Sequence, residues 1–209
     1  PYWFDAVVNA VQSAEPLTLD AGAAGLGTIT LNAERGAANW LRISALLEAM
    51  KALDPAPRDA LAERLVLATA AHRRPRFHPL APLAVAQVRE LAQSRWVTIG
   101  SHSHGHQLLD RIELDAARDS IVRSMALLTE WTGRTVTHFA YPNGGSSQYY
   151  NLRIKEFVRR AGYRSAVTSK LGVVDLCNDP FELRRIRTTE QLSDILWEIE
   201  ESRIRSAAE

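Results

Sequence analysis

Three histidines fall within five residues, in the segment Ser101-His102-Ser103-His104-Gly105-His106. Neutral imidazole is the commonest side-chain ligand for zinc and related metals near pH 7. His102 and His106 are separated by three residues, so a loop turning like a helix brings both onto one ion. In the same turn His104 points elsewhere, and Ser103 is placed to cap the turn. The chemistry on offer is metal-assisted activation of water or of a carbonyl. The alternative is a polar surface loop that happens to hold histidines. Of the others, His72 and His78 lie in a basic, Pro-rich stretch and read as solvated. His138 precedes Phe139 in a predicted strand and could face either way.

A second polar segment is Phe139-Ala140-Tyr141-Pro142-Asn143-Gly144-Gly145, a predicted strand running into a tight turn. Successive N–H groups in such a turn can form a nest for negative charge. Facing a metal, the nest could hold the oxyanion of a tetrahedral intermediate. Alone it is an ordinary turn; paired with the histidine loop, the functional reading is the better one.

The elements that would position these segments follow from periodicity. Trp3, Val7, Val8 and Val11 form one helical stripe, and Gly27 to Leu31 reads as a short strand. Helices are expected over 38–53 and 58–70, separated by Asp54-Pro55-Ala56-Pro57, with a linker over 72–82. The second half alternates. Helices over 82–93, 113–131, 149–161 and 190–204 are interleaved with strands at 96–99, 136–141, 165–168 and 181–189. Alternation of this kind implies parallel βα units, whose active sites lie at the C-terminal ends of the strands. Both polar segments directly follow predicted strands, so they are expected on one rim.

Bulk properties exclude several functions. The 209 residues are 46% apolar and 23% charged, ordinary for a globular chain, and fit one domain over 1–209. A net charge of +1 argues against nucleic acid or anionic lipid as a general partner. No apolar run approaches the roughly 18 residues of a membrane span, and Pro1 to Phe4 lacks the features of a secretory leader. Cys177 is the only cysteine, which rules out an internal disulfide and a Cys-rich zinc site.

Taken together and in this order, the two segments resemble the polysaccharide deacetylase family (the NodB-like carbohydrate esterases). Val97 to His106 looks like that family's His-Ser/Thr-x-x-His metal motif, and 109–133 like the helix after it. Phe139 to Gly144 is similar to its oxyanion turn. Ala161 to Thr168 and Asp179 to Ile186 look like later strands of one bacterial branch. The resemblance implies an α/β fold, a distorted, incomplete β/α barrel, here with a helical insertion over 36–81. It implies a hydrolase removing N-acetyl, sometimes O-acetyl, groups from a polysaccharide, with a divalent metal, usually zinc. His102 and His106 are then the two His ligands. The Asn143 N–H binds the oxyanion, and Tyr141 and Pro142 shape the turn. A bacterial envelope or secreted location is favoured.

The sequence departs from the family at three points. The strand ending in Thr-Phe-Asp-Asp-Gly, source of the catalytic base and the third ligand, is missing: no Asp-Asp pair occurs in the sequence. The chain is therefore expected to be N-terminally incomplete relative to the family, with impaired activity and an uncovered sheet edge open to oligomerisation. The Arg that many members carry before the Pro turn is Ala140, and no His follows His138. Two rivals stand beside this reading. One is a non-catalytic glycan-binding or scaffold protein on the same fold. The other is an unrelated metallohydrolase using a local carboxylate such as Asp110.

Overall fold

The computed structural model describes residues 2–13, 17–22, 25–31, 37–69, 83–143, 149–175, 177–186, 188 and 190–208. His72 and His78, the linker around them, and Gly144 and Gly145 lie outside these residues. The chain divides into two compact units, 1–83 and 84–209.

In the first unit, helix α1 (Trp3–Ser13) precedes a hairpin of β1 (Leu17–Asp20) and β2 (Thr28–Leu31), paired antiparallel. Helices α2 (Ala37–Lys51) and α3 (Pro55–Ala68) follow. Prolines at 55 and 57 fit the first turn of α3, where a backbone N–H has no helical partner to lose. Val7, Ala10 and Val11 of α1, Ile43 and Met50 of α2, and Leu61 and Leu65 of α3 form one buried cluster. Helical spacing gathers these apolar side chains onto one side of each helix, and burial away from water holds the cluster together.

The second unit runs α4 (Val85–Gln93), α5 (Leu114–Thr132), β3 (His138–Ala140), α6 (Leu152–Arg160), β4 (Ser165–Leu171), β5 (Leu183–Arg185) and α7 (Leu192–Ala208). The strands form a parallel sheet in the order β3-β4-β5, as the alternating pattern implies. The expected strand at 96–99 is a correction. Those residues are in no ladder, and their neighbourhood reaches the sheet through one parallel bridge, Ser101 to Phe139. The bridge consists of Ser101 N–H to His138 O and Ala140 N–H to Ser101 O, both 2.8 Å. Among the described residues nothing pairs with the far side of this segment, and Trp96 is 80% exposed. A strand needs neighbours to satisfy its backbone groups, and this apolar stretch has one for a single residue. The sheet does not close into a barrel among the described residues.

Helix α5 buries Ala117, Ser120, Ile121 and Ser124, spaced by three and four residues along one face. Gly133 ends it in the left-handed conformation (φ 67°), which a residue without Cβ adopts at little cost. Asn151 starts α6, its Oδ1 accepting from Arg153 and Ile154 N–H at 3.0 and 3.1 Å. Leu109, Ile121, Val136, Phe139, Tyr141, Ile154, Val158 and Tyr163 form the core behind the sheet.

Candidate active site

In a parallel sheet every strand's C-terminal end faces the same rim. That rim receives His102, one residue past the Ser101 bridge, and the Tyr141-Pro142-Asn143 turn after β3. It also receives the ends of β4 and β5. The shared rim expected of the two segments is realised in one contact. His102 Nδ1 lies 2.8 Å from the carbonyl of Ala140, three residues before Asn143. A carbonyl can only accept, so Nδ1 carries the proton and the Nε2 lone pair is left for another partner. The His106 ring packs edge to face against that of His102, with centroids 4.8 Å apart and an angle of 81°.

The loop that achieves this is not helical, and here the expectation of a helix-like turn is corrected. Ser103 and His106 both have positive φ, 64° and 53°. Ser103 does hold the loop, its Oγ accepting the His106 N–H at 3.0 Å. The rest of the support comes from α5. His104 N–H donates to Ser120 Oγ at 3.1 Å, and Ser120 donates to Gln107 Oε1 at 2.8 Å. Ser101 Oγ lies 2.6 Å from Ser124 Oγ, both buried. Neither Ser120 nor Ser124 was singled out from the sequence. Their signal was a polar pair four residues apart on the otherwise apolar face of α5.

Positive φ also marks Asn143 (67°) and Tyr149 (52°). Three of the four described non-glycine residues in this region of backbone space thus fall in the two polar segments. Each such residue costs on the order of 1–3 kcal/mol, a cost that persists where the surroundings enforce it. Strain at both segments is the pattern expected of a functional rim. Tyr141 and Pro142 are buried beneath the turn. Tyr141 stacks on Tyr150 (centroids 4.1 Å, 13°) and donates its hydroxyl to Phe181 O at 3.0 Å. Burial pushes its phenol well above the usual range, with Tyr150, Glu182 and Asp179 adding to the effect. It is a neutral donor at any physiological pH.

The remaining titratable groups do not complete a ligand set. His104 is exposed, and His138 opens β3 at the end away from the rim, 2.9 Å from Ser165 Oγ. Asp110 is partly buried, one of its oxygens having no hydrogen-bond partner among the described residues. No three His, Cys, Asp or Glu side chains among the described residues gather closely enough to hold a metal. Thus the two imidazoles fit two ligand positions of a zinc-type ion by donor chemistry, His102 also by its tautomer, while Asp110 does not join them.

The electrostatics favour the neutral ligand form. The His102 pKa is lowered, first by desolvation against the sheet end and further by the Arg185 charge, against a raising effect of the Ala140 carbonyl. His102 is open to solvent over much of its surface, but its protonated nitrogen is the face turned inward. The sign of the pH dependence follows. Below about 6.5, the unperturbed value, the unfolded chain takes up a proton that the folded chain resists. The folded state therefore loses stability as pH falls from 6.5 towards the lowered pKa, and regains it above. Unfolding midpoints from pH 5 to 8 should show this slope in the wild type and a shallower one in His102→Gln. Equal slopes would remove His102 as its source.

The second unit is thus a parallel α/β unit that carries paired histidines and a strained turn on its C-terminal rim. The family model for polysaccharide deacetylase matches residues 60–166, and the chain belongs to that family. Its fold is similar to that of the Streptococcus pyogenes deacetylase PplD in complex with acetate. The TM-score is 0.51 and the identity 23%, over 57% of this chain and 52% of that one. The chain thus spans about half the length of this solved structure. No curated protein matches the sequence.

Proposed function

We propose that this chain carries the metal-binding rim of a polysaccharide N-deacetylase, acting on acetylated amino-sugar polymers or oligomers. The observation that carries the reading is the His102–His106 pair. One ring is fixed in the Nδ1–H tautomer by Ala140 O and the other is packed 4.8 Å away, beside the strained turn of Asn143. Membership of the polysaccharide deacetylase family supports the substrate class. On this reading His102 and His106 hold a divalent ion, zinc in the first instance, in a distorted, incomplete β/α barrel. When bound, the ion supplies Lewis-acid polarisation and a water of lowered pKa. The chain's own contributions are separate. Ser103, Ser120 and Ser124 fix the loop, and Ala140 O sets the tautomer. The Asn143 N–H is offered to the developing oxyanion, and Tyr141 and Pro142 hold the turn in place.

No third side chain among the described residues joins the pair as a metal ligand. A carboxylate from elsewhere would have to complete the site, and without it the activity is impaired. The same observation favours a second reading, a glycan-binding protein on this fold that performs no chemistry. Segment 96–101, with Trp96 exposed and one side unpaired, is where another strand or a second copy would pair. A bacterial envelope or secreted location fits the proposed substrate.

The test is a zinc titration by calorimetry. The wild type should bind one ion. His102→Ala and His106→Ala should each weaken binding by at least the roughly 10–100-fold that loss of a mere supporting group causes. Unchanged affinity in both variants would end the metal reading and leave the glycan-binding one.

A further inference from the structure

The rim continues past the histidines to the ends of β4 and β5. There the register breaks: Val167 pairs with Leu183, but Leu171 pairs with Arg185, so four steps on one strand oppose two on the other. Irregularities of this kind re-aim side chains and are common beside functional sites. A groove of about 280 Å³ lies here, lined by Ser169, Leu171, Arg185 and Ile186. That is near the small end of ligand clefts, roughly 300 Å³ upwards, and suits a single ring rather than a length of polymer.

Arg185 is held in this groove by its backbone side. Its Nε donates to Thr168 O at 2.5 Å, and its carbonyl accepts Gly172 N–H at 3.1 Å. Gly172 permits this approach. It has φ of 143°, and a Cβ there would stand 2.6 Å from Arg184 Cδ. Arg185 is exposed and lines the groove, and its hydrogen bond to Thr168 O uses Nε rather than the two terminal nitrogens. No ion pair among the described residues engages them. The carboxylates just upstream are committed elsewhere. Asp179 takes Lys155 at 2.9 Å, while Glu182 takes Lys155 at 3.3 Å and the Tyr150 hydroxyl at 2.8 Å. Arg185 ends β5 on the same C-terminal rim that carries His102. The Arg185 guanidinium, with no ion-pair partner among the described residues, makes this part of the rim locally positive, and such a field calls for an anion. The planar fork of Arg matches carboxylate and phosphate oxygens in pairs. Leu171 and Ile186 offer apolar walls to the C–H face of a sugar.

We propose that Arg185 and its groove form an anion-recognising subsite, taking a carboxylate or phosphate borne by the sugar next to the one at the histidine pair. The inference rests on the reading of the rim as a glycan site and narrows the substrate to acidic polymers.

Binding to the full 209-residue chain should be measured by calorimetry with three probes. These are the neutral N-acetylglucosamine tetramer, a tetrasaccharide alternating N-acetylglucosamine with glucuronate, and an N-acetylglucosamine oligomer bearing phosphate monoesters. At least one acidic probe should bind about tenfold more tightly than the neutral one, the scale of one charge-assisted pair. The preference should shrink with added salt. Whichever acidic probe leads identifies the group. Arg185→Gln should bring the acidic probes down to the affinity of the neutral one measured on the same variant, while Arg185→Lys keeps part of the preference. His102→Ala should keep the acidic preference while losing zinc, so failure of the deacetylase reading and failure of the subsite register separately. Equal binding of all three probes, a preference that survives Arg185→Gln, or no binding at millimolar concentration would overturn the proposal.

Discussion

Acetate release from acetylated glucosamine oligomers, with zinc or cobalt supplied, is expected to stay close to background for the 209-residue chain. Hydrolysis of an amide by a metal-activated water needs a proton acceptor, and a well-placed carboxylate base contributes about 10²–10⁴-fold. The sequence contains no Asp-Asp pair. Among the described residues no carboxylate joins His102 and His106. Two imidazoles alone also leave an ion less firmly held than the three protein ligands usual at catalytic zinc. The measurement is a coupled acetate assay on the purified chain and on His102→Ala. Robust turnover that disappears in His102→Ala would refute the expectation and show that another group serves as base. Asp110, which follows the loop and has a buried oxygen, would be the first to examine.

The largest effect on stability is expected from Tyr141→Ala. The side chain is 1% exposed, stacks on Tyr150 and bonds the carbonyl of Phe181, so it ties the end of β3 to the segment entering β5. Truncating a buried aromatic costs about 3–5 kcal/mol through lost burial and the cavity left behind. Against a typical total of about 5–15 kcal/mol, that is a large share. Tyr141→Phe keeps the ring and loses only the hydroxyl contact, a net of about 0.5–1.5 kcal/mol. Urea unfolding of the three proteins should rank them wild type, Phe, Ala, with the second step much the larger. An Ala variant within about 1 kcal/mol of wild type, well short of the usual cost, would mean the turn is not held from beneath. The turn over Tyr141 contains Asn143, so the Ala variant should also lose glycan or metal binding more than Phe does.

Much of the second unit was legible in the sequence because local patterns sufficed. The helix over 113–131 closed by Gly133, the helix expected within 149–161, and the strands before Asn143 and after Tyr163 are each set by neighbours within a few residues. The alternation of those elements was enough to imply a parallel sheet. Parallel order in turn placed the ends of the strands, and hence both polar segments, on one rim. The family resemblance read from the same segments agrees with the match over 60–166. Within the loop, the spacing of His102 and His106 marked the pair, and Ser103 was marked as its brace.

What only the tertiary structure decided are the relations that depend on distant partners. Whether Trp96 to Ile99 becomes a strand depends on a neighbour paired along its length, and the residues themselves cannot report that one is lacking. The His106 conformation is left-handed rather than helical because Ser120 and Ser124, on a helix that begins eight residues later, bind the loop from below. The tautomer of His102 is set by Ala140, thirty-eight residues away. Arg185 read as one more basic residue in a strand. At the register break between β4 and β5 it lines a groove on the rim that also carries His102. Residue types and short spacings fix which groups are present and which elements hold them. Which donor meets which acceptor across the sheet is fixed by packing and strand order, and these are properties of the folded chain.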